Sequence, residues 1–153
     1  MRTSSTSVTR PTQEETLPQD SIERQAALHA LLMGSRFMKA RTWTTAVIWL
    51  QQAIQIQPDC FEAYFLLGEV YLEMGEFRDA VEPYEKAIQL RPDDTTPHLK
   101  LGMVFIALKD WNAVLEQYQI LRSLNEVIAK ELFDKIIYSF NYEMFNSLFN
   151  PVY

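Results

Sequence analysis

The chain has 153 residues, 48% of them hydrophobic, and a formal net charge of −6. That suits one domain with enough apolar material for a core, and the acidic balance argues against a phosphate-backbone partner, because the densest basic group is only Arg36, Lys39 and Arg41. Cys60 is the single cysteine, so no internal disulfide can form, and no apolar run reaches the length of a membrane span.

Residues 1–20 hold eight Ser or Thr together with Pro11 and Pro18, and no apolar stretch of the kind a secretory signal needs. They read as a disordered N-terminal arm on a cytoplasmic protein. Asp20 and Glu23 have the spacing of a capping box at the first helix start. From Ile22 onward, Ala26, Ala30, Met33, Gly34 and Phe37 recur at helical spacing. The chain breaks near Arg41-Thr42, and a second helix runs from about Trp43 to Gln57, before Pro58. Asp59 is the expected cap of a third helix, which runs to about Met74, with Gly75 supplying the turn. A fourth spans about Phe77 to Leu90, before Pro92, with Pro83 inside it and a bend expected there. Asp94 or Thr95 caps a fifth, with Pro97 in its first turn. A break near Lys109-Asp110 leads to a sixth helix, Trp111 to about Leu124. A capping helix over 127–140 and an aromatic tail over 141–153 complete the chain.

Gly34, Gly68 and Gly102 stand 34 residues apart. Phe37, Tyr71 and Phe105 follow in register, then Trp43, Phe77 and Trp111, Ala46, Ala80 and Val114, Leu50, Tyr84 and Tyr118, and Ala53, Ala87 and Leu121. Such a period marks stacked helical hairpins. A glycine inside a helix costs about 1 kcal/mol against alanine, so a column of them needs a shared reason. Close approach of the facing helix is that reason, with Ala46, Ala53, Ala80 and Ala87 expected as the matching small residues across the contact.

The middle unit resembles a tetratricopeptide repeat through Tyr64, Leu67-Gly68, Tyr71, Ala80, Tyr84, Ala87 and Pro92. The first unit is similar through Met33-Gly34, Phe37, Ala46, Leu50, Ala53 and Pro58, and departs at Ala30. The third is similar through Leu101-Gly102, Phe105 and Tyr118, and departs at His98, Val114, Leu121 and Glu126, so its second helix is expected to pack less closely. The resemblance implies an all-α fold: a right-handed α-solenoid of three hairpins (about 25–58, 59–92 and 93–126, within 21–126) plus the capping helix. It also implies a concave groove that holds other proteins.

The groove columns on the first helix of each hairpin give Leu28, Leu31, Met38, Phe65, Glu69, Leu72, Glu73, Leu99, Met103 and Ile106 as partner-binding residues, apolar with an acidic edge that includes Glu62. Members of the family that grip a C-terminal carboxylate use Lys and Asn there, a pattern absent from this chain. An amphipathic helix or extended apolar peptide is the expected partner, with the chain's own arm or tail as the competing occupant. Residues 42–58 carry no charge, and Ile48-Trp49 replaces Glu82-Pro83 and Glu116-Gln117 of the other units. This pair is expected to be an exposed second contact surface, for a partner or for a second copy in a homodimer. In the tail, Phe145, Leu148 and Phe149 prolong one apolar stripe, read as a cap on the stack and alternatively as a docking peptide or dimer contact.

No catalytic residues, cofactor or metal ligands are expected. His98 takes a packing aromatic's place, His29 stands alone, and Cys60 has no base fixed beside it. A protein-binding scaffold that supports assembly of a larger complex is the leading reading. A small chaperone of the type III secretion kind and a subunit embedded permanently in a complex are the others.

Overall fold

The computed structural model describes residues 19–149, with side chains described as far as Tyr142. Its elements are α1 (Gln19–Lys39), α2 (Trp43–Ile56), α3 (Phe61–Met74), α4 (Phe77–Leu90), α5 (Thr95–Leu108), α6 (Trp111–Leu124) and α7 (Glu126–Phe149). Among the described residues there is no strand. Helices α1/α2, α3/α4 and α5/α6 pair as hairpins; α2 packs on α3, α4 on α5, and α7 on both α5 and α6. The result is the all-α solenoid that the repeat implies. The 34-residue spacing holds in the elements themselves: α2, α4 and α6 start at Trp43, Phe77 and Trp111.

The turns inside the hairpins repeat too. Arg41, Gly75 and Lys109 adopt φ of 58°, 77° and 60°. In each turn the next amide reaches back to the helix it leaves: Thr42 N to Phe37 O at 3.0 Å, Glu76 N to Tyr71 O at 2.9 Å and Asp110 N to Phe105 O at 3.0 Å. This left-handed closure satisfies carbonyls left over at the helix end. Only the middle turn uses the residue for which that backbone is unstrained.

Helix starts differ from the sequence expectation in two places, and a third settles an open alternative. Asp20 lies within the first turn of α1, not at its cap, and Gln19 Nε2 donates to Glu23 Oε1 at 3.0 Å. The cap position of α3 is Cys60, without a side-chain bond, so Asp59 stands one residue too early. For α5 the structure selects Asp94, whose carboxylate accepts from Thr96 N at 2.9 Å. The arm expected over residues 1–20 lies outside the described residues except for Gln19 and Asp20, which already belong to α1.

The glycines sit at helix contacts, but their partners are bulky. A Cβ on Gly34 would lie 2.7 Å from the Leu50 side chain, and one on Gly68 would lie 2.8 Å from the Tyr84 ring. The small side chain makes room for a large neighbour, so the expectation of small residues facing small is corrected. Ala46, Ala53, Ala80 and Ala87 are fully buried in the core. Gly102 breaks the column: its nearest neighbour is Leu132 of α7, at 2.8 Å. Tyr118, in the column of Leu50 and Tyr84, is only half-buried.

That break has a local cause. Where Pro58 and Pro92 follow the earlier hairpins, the third hairpin has only Asn125 between α6 and α7. Asn125 N donates to Leu121 O, closing α6, while its Oδ1 accepts from Val127 N at 3.0 Å and Ile128 N at 3.3 Å, opening α7. The repeat would start the next helix at residue 129, yet α7 starts at Glu126. It then runs unbroken to Phe149, past the expected boundary at 140, so the described part of the tail is a continuation of one helix.

Candidate protein-binding surfaces

Helices α1, α3 and α5 carry the ten residues expected to line a groove, and the structure divides them by depth. Leu28 and Glu73 are exposed, and Leu99 is buried. Leu31, Met38, Phe65, Glu69, Leu72, Met103 and Ile106 are half-buried. Leu31 and Met38 pack on the cluster of Ala46, Leu50, Leu67 and Val70. Phe65 and Leu72 pack on the cluster containing Tyr84, and Ile106 on that of Leu99 and Leu121. Most of these side chains therefore press one flank into the core.

The acidic edge is neutralised from within. Arg91 donates to Glu62 and lies over the Phe61 ring, 4.0 Å from its centroid. Glu69 accepts from the Tyr84 hydroxyl at 2.5 Å and from Lys100 Nζ, tying α3 to α4 and α5. Burial first, then the bond to the Glu69 carboxylate, hold the Tyr84 hydroxyl neutral far above its ordinary range. Lys100 and Arg91 escaped the sequence reading because their partners lie 31 and 29 residues away. Of the three acids, Glu73 alone has no cation in salt-bridge contact among the described residues.

On the outer helix of the first hairpin, Ile48 is 59% exposed. Trp49 is not exposed with it. It is half-buried, packs on the cluster of Ala30, Ala53, Cys60 and Ala63, and meets the His29 ring edge-on at 5.7 Å. The reason lies across the hairpin. Trp49, Pro83 and Gln117 form one column and Ala30, Tyr64 and His98 another, each with the 34-residue spacing. Trp49 packs on the cluster of the small Ala30, while the large Tyr64 shares a cleft with the compact Pro83. His98, buried, meets Gln117 Oε1 at 2.9 Å through Nδ1 and Pro92 O at 3.3 Å through Nε2. Its role is structural.

A cleft of about 590 Å³ lies between α2, α3 and α4 and is lined in part by Gln51, Tyr64, Tyr71, Arg78 and Pro83. A second cleft, about 290 Å³ and without a charged residue, opens between α6 and α7. Its walls include Trp111, Leu115, Tyr118, Phe133, Ile136 and Phe140, with Trp111 stacked on Phe140 at 4.5 Å. Reasoning from the sequence missed this site, because it exists only where α7 departs from the repeat. Phe145, Leu148 and Phe149 belong to the last turns of α7, and their side chains lie outside the described ones. Among the described residues no helix is long and apolar enough to cross a membrane.

Comparison with known proteins agrees with this architecture. The family described as tetratricopeptide repeat matches residues 61–94, and a second TPR repeat description matches residues 34–75. The fold is similar to the TPR domain of Arabidopsis OM64, at 18% identity and a TM-score of 0.68, over 74% of this chain and 96% of that one. It is similar to the TPR2B domain of yeast Sti1 in its pHsp70 complex, at 21% identity and a TM-score of 0.67, over 78% and 98%. The first TPR domain of Spaghetti (RPAP3), bound to the HSP90 peptide SRMEEVD, is 18% identical with a TM-score of 0.68, over 76% and 94%. No curated protein matches the sequence. Residues 34–94 thus match tetratricopeptide-repeat models, and the fold of the described residues is that of a TPR solenoid.

Proposed function

We propose that this chain is a protein-interaction module, and that the face formed by α1, α3 and α5 receives an apolar or amphipathic segment of another protein. The observation that carries the reading is the ladder of half-buried apolar side chains, Leu31, Met38, Phe65, Leu72, Met103 and Ile106. Packed cores hold them on one flank, so a partner meets a surface already ordered, and little receptor entropy is lost on binding. The internal pairing of Glu62 and Glu69 leaves that surface less acidic than the sequence suggests, which favours an apolar ligand over a strongly basic one. Two of the similar structures are peptide complexes, which supports a binding role of this general kind. We assign no chemistry to the chain; it acts by holding a partner, in support of a larger assembly inside the cytoplasm.

A photo-reactive residue placed at Met103, in the native cell, tests the reading. It should cross-link a protein that the same residue at the exposed Lys86 of α4 does not. Equal capture from both positions, or capture at Lys86 alone, would refute the assignment of this face. Leu99 is a poor site for such a probe, because it is only 8% exposed and a polar group there would disrupt the core.

A further inference from the structure

The solenoid leaves two unlike surfaces uncovered, one at each end. At both internal junctions the second helix of a hairpin is covered by the first helix of the next. Trp43 and Val47 of α2 lie in one cluster with Leu66, Leu67, Val70 and Tyr71 of α3. Phe77 and Val81 of α4 lie in one with Leu101, Val104, Phe105 and Leu108 of α5. The equivalent residues of α6 are Trp111 and Leu115. Because α7 is drawn onto Gly102 of α5, it covers them incompletely. Leu115 stays 53% exposed, and the uncharged cleft opens beside it.

The other end offers the matching piece. Leu32 of α1 stands in the column of Leu66, which packs into the first junction, yet Leu32 is 59% exposed because no described helix covers that face of α1. Ile22, nearer the start of α1, is exposed as well. One chain thus carries both halves of a junction that it already makes twice within itself.

Charge decides how copies would meet. Residues 19–58 hold four cationic and two anionic side chains (Arg24, Arg36, Lys39 and Arg41 against Asp20 and Glu23), a net +2. Residues 109–149 hold four and six (Lys109, Arg122, Lys130 and Lys135 against Asp110, Glu116, Glu126, Glu131, Asp134 and Glu143), a net −2. A two-fold pairing sets like ends together, +2 on +2 or −2 on −2. Stacking head to tail sets opposite ends together. We propose that copies of this chain stack end to end, the α1 face of one seated on the α6–α7 cleft of the next. Such a contact is heterologous and does not close on itself, so it builds chains of variable length. The concave faces remain open along the stack, so this contact and groove binding are independent.

Sedimentation of the full chain with two variants, Leu32→Glu and Leu115→Glu, tests the proposal. Wild type should show an average mass that climbs with concentration past the dimer and falls as salt is raised. Each variant alone should stay monomeric, having one dead end. Mixed in equal amounts they should form a dimer and stop there, because one supplies a working cleft and the other a working α1 face. Arg36→Glu, at the exposed position that Val70 fills in α3, and Phe133→Glu, on an exposed wall of the cleft, replace the α1 and cleft variants respectively should the helical circular dichroism of either be reduced. A wild type that is monomeric throughout would overturn the proposal. So would a closed dimer that survives Leu32→Glu, which places the contact on α7 alone, or a mixture that stays monomeric.

Discussion

Replacing Gly68 with Ala sets two well-measured effects against each other. Helix propensity alone favours alanine by about 1 kcal/mol at an interior position. The added Cβ, however, would lie 2.8 Å from one Tyr84 ring carbon and 2.9 Å from two more, too close for any real carbon pair. The ring has little freedom to retreat. Tyr84 is fully buried, edge-on to Phe65 at 5.9 Å, and its hydroxyl is tied to Glu69. Overpacking of this kind costs about 1–3 kcal/mol, and a pinned ring belongs in the upper part of that range. The net expectation is a loss of about 1–2 kcal/mol, opposite in sign to propensity. Urea unfolding followed by far-ultraviolet circular dichroism reads it as a lowered midpoint with an unchanged slope. Gly102→Ala should lose less, because its neighbours are the terminal methyls of Leu132, which can turn aside. Gly75→Ala meets nothing within 4 Å, so its loss comes from φ 77° alone and should leave the near-ultraviolet signal of the aromatic core intact. A Gly68→Ala protein as stable as wild type, or more so, would refute the packing account of the glycine column.

Two further outcomes follow from the same contacts. The Tyr84 hydroxyl is held above its ordinary value of 10.0 in the folded state, so the unfolded chain loses that proton first as pH rises. Its contribution to stability is complete below about pH 10 and declines above it, at a limit of about 1.4 kcal/mol per pH unit. Tyr84→Phe should flatten this alkaline decline, and identical alkaline unfolding curves for the two proteins would contradict the burial of the hydroxyl. At the first hairpin turn, Arg41→Gly should stabilise the fold by about 0.5 kcal/mol, the relief of left-handed strain less the extra entropy of a glycine in the unfolded chain. Thermal unfolding would show it, and a lowered midpoint would mean that Arg41 does more than close a turn.

The helical hairpins were legible because their spacing is written three times over, so weak local signals in one unit are corrected by the others. What stayed hidden depends on contacts between residues far apart in the chain. Arg41 and Lys109 give no local sign of a left-handed turn; the pairing of the flanking helices imposes it, as it does at Gly75. The residues read as groove columns lie on α1, α3 and α5, but their depth was not legible. Whether Leu99 lies buried and Glu73 open depends on how the neighbouring helices lean, and the cations paired with Glu62 and Glu69 come from the end of α4 and from α5.

Four residues that stood out in the sequence, Ala30, Trp49, Pro83 and His98, looked unrelated when each was compared with its own column. Across the hairpin they resolve into matched pairs: a small residue against Trp49, a compact proline beside Tyr64, and a polar glutamine against His98. The space between the two helices is conserved while its filling changes, and so Trp49 is drawn inward and Ile48 alone is left facing water. The same logic accounts for the far end. With Tyr118 only half-buried, Leu132 moves in against Gly102, α7 leans toward α5, and the uncharged cleft on α6 is what that lean leaves open. A surface created by a packing substitution, and not by a run of apolar residues in one helix, is invisible to any reading that takes the helices one at a time.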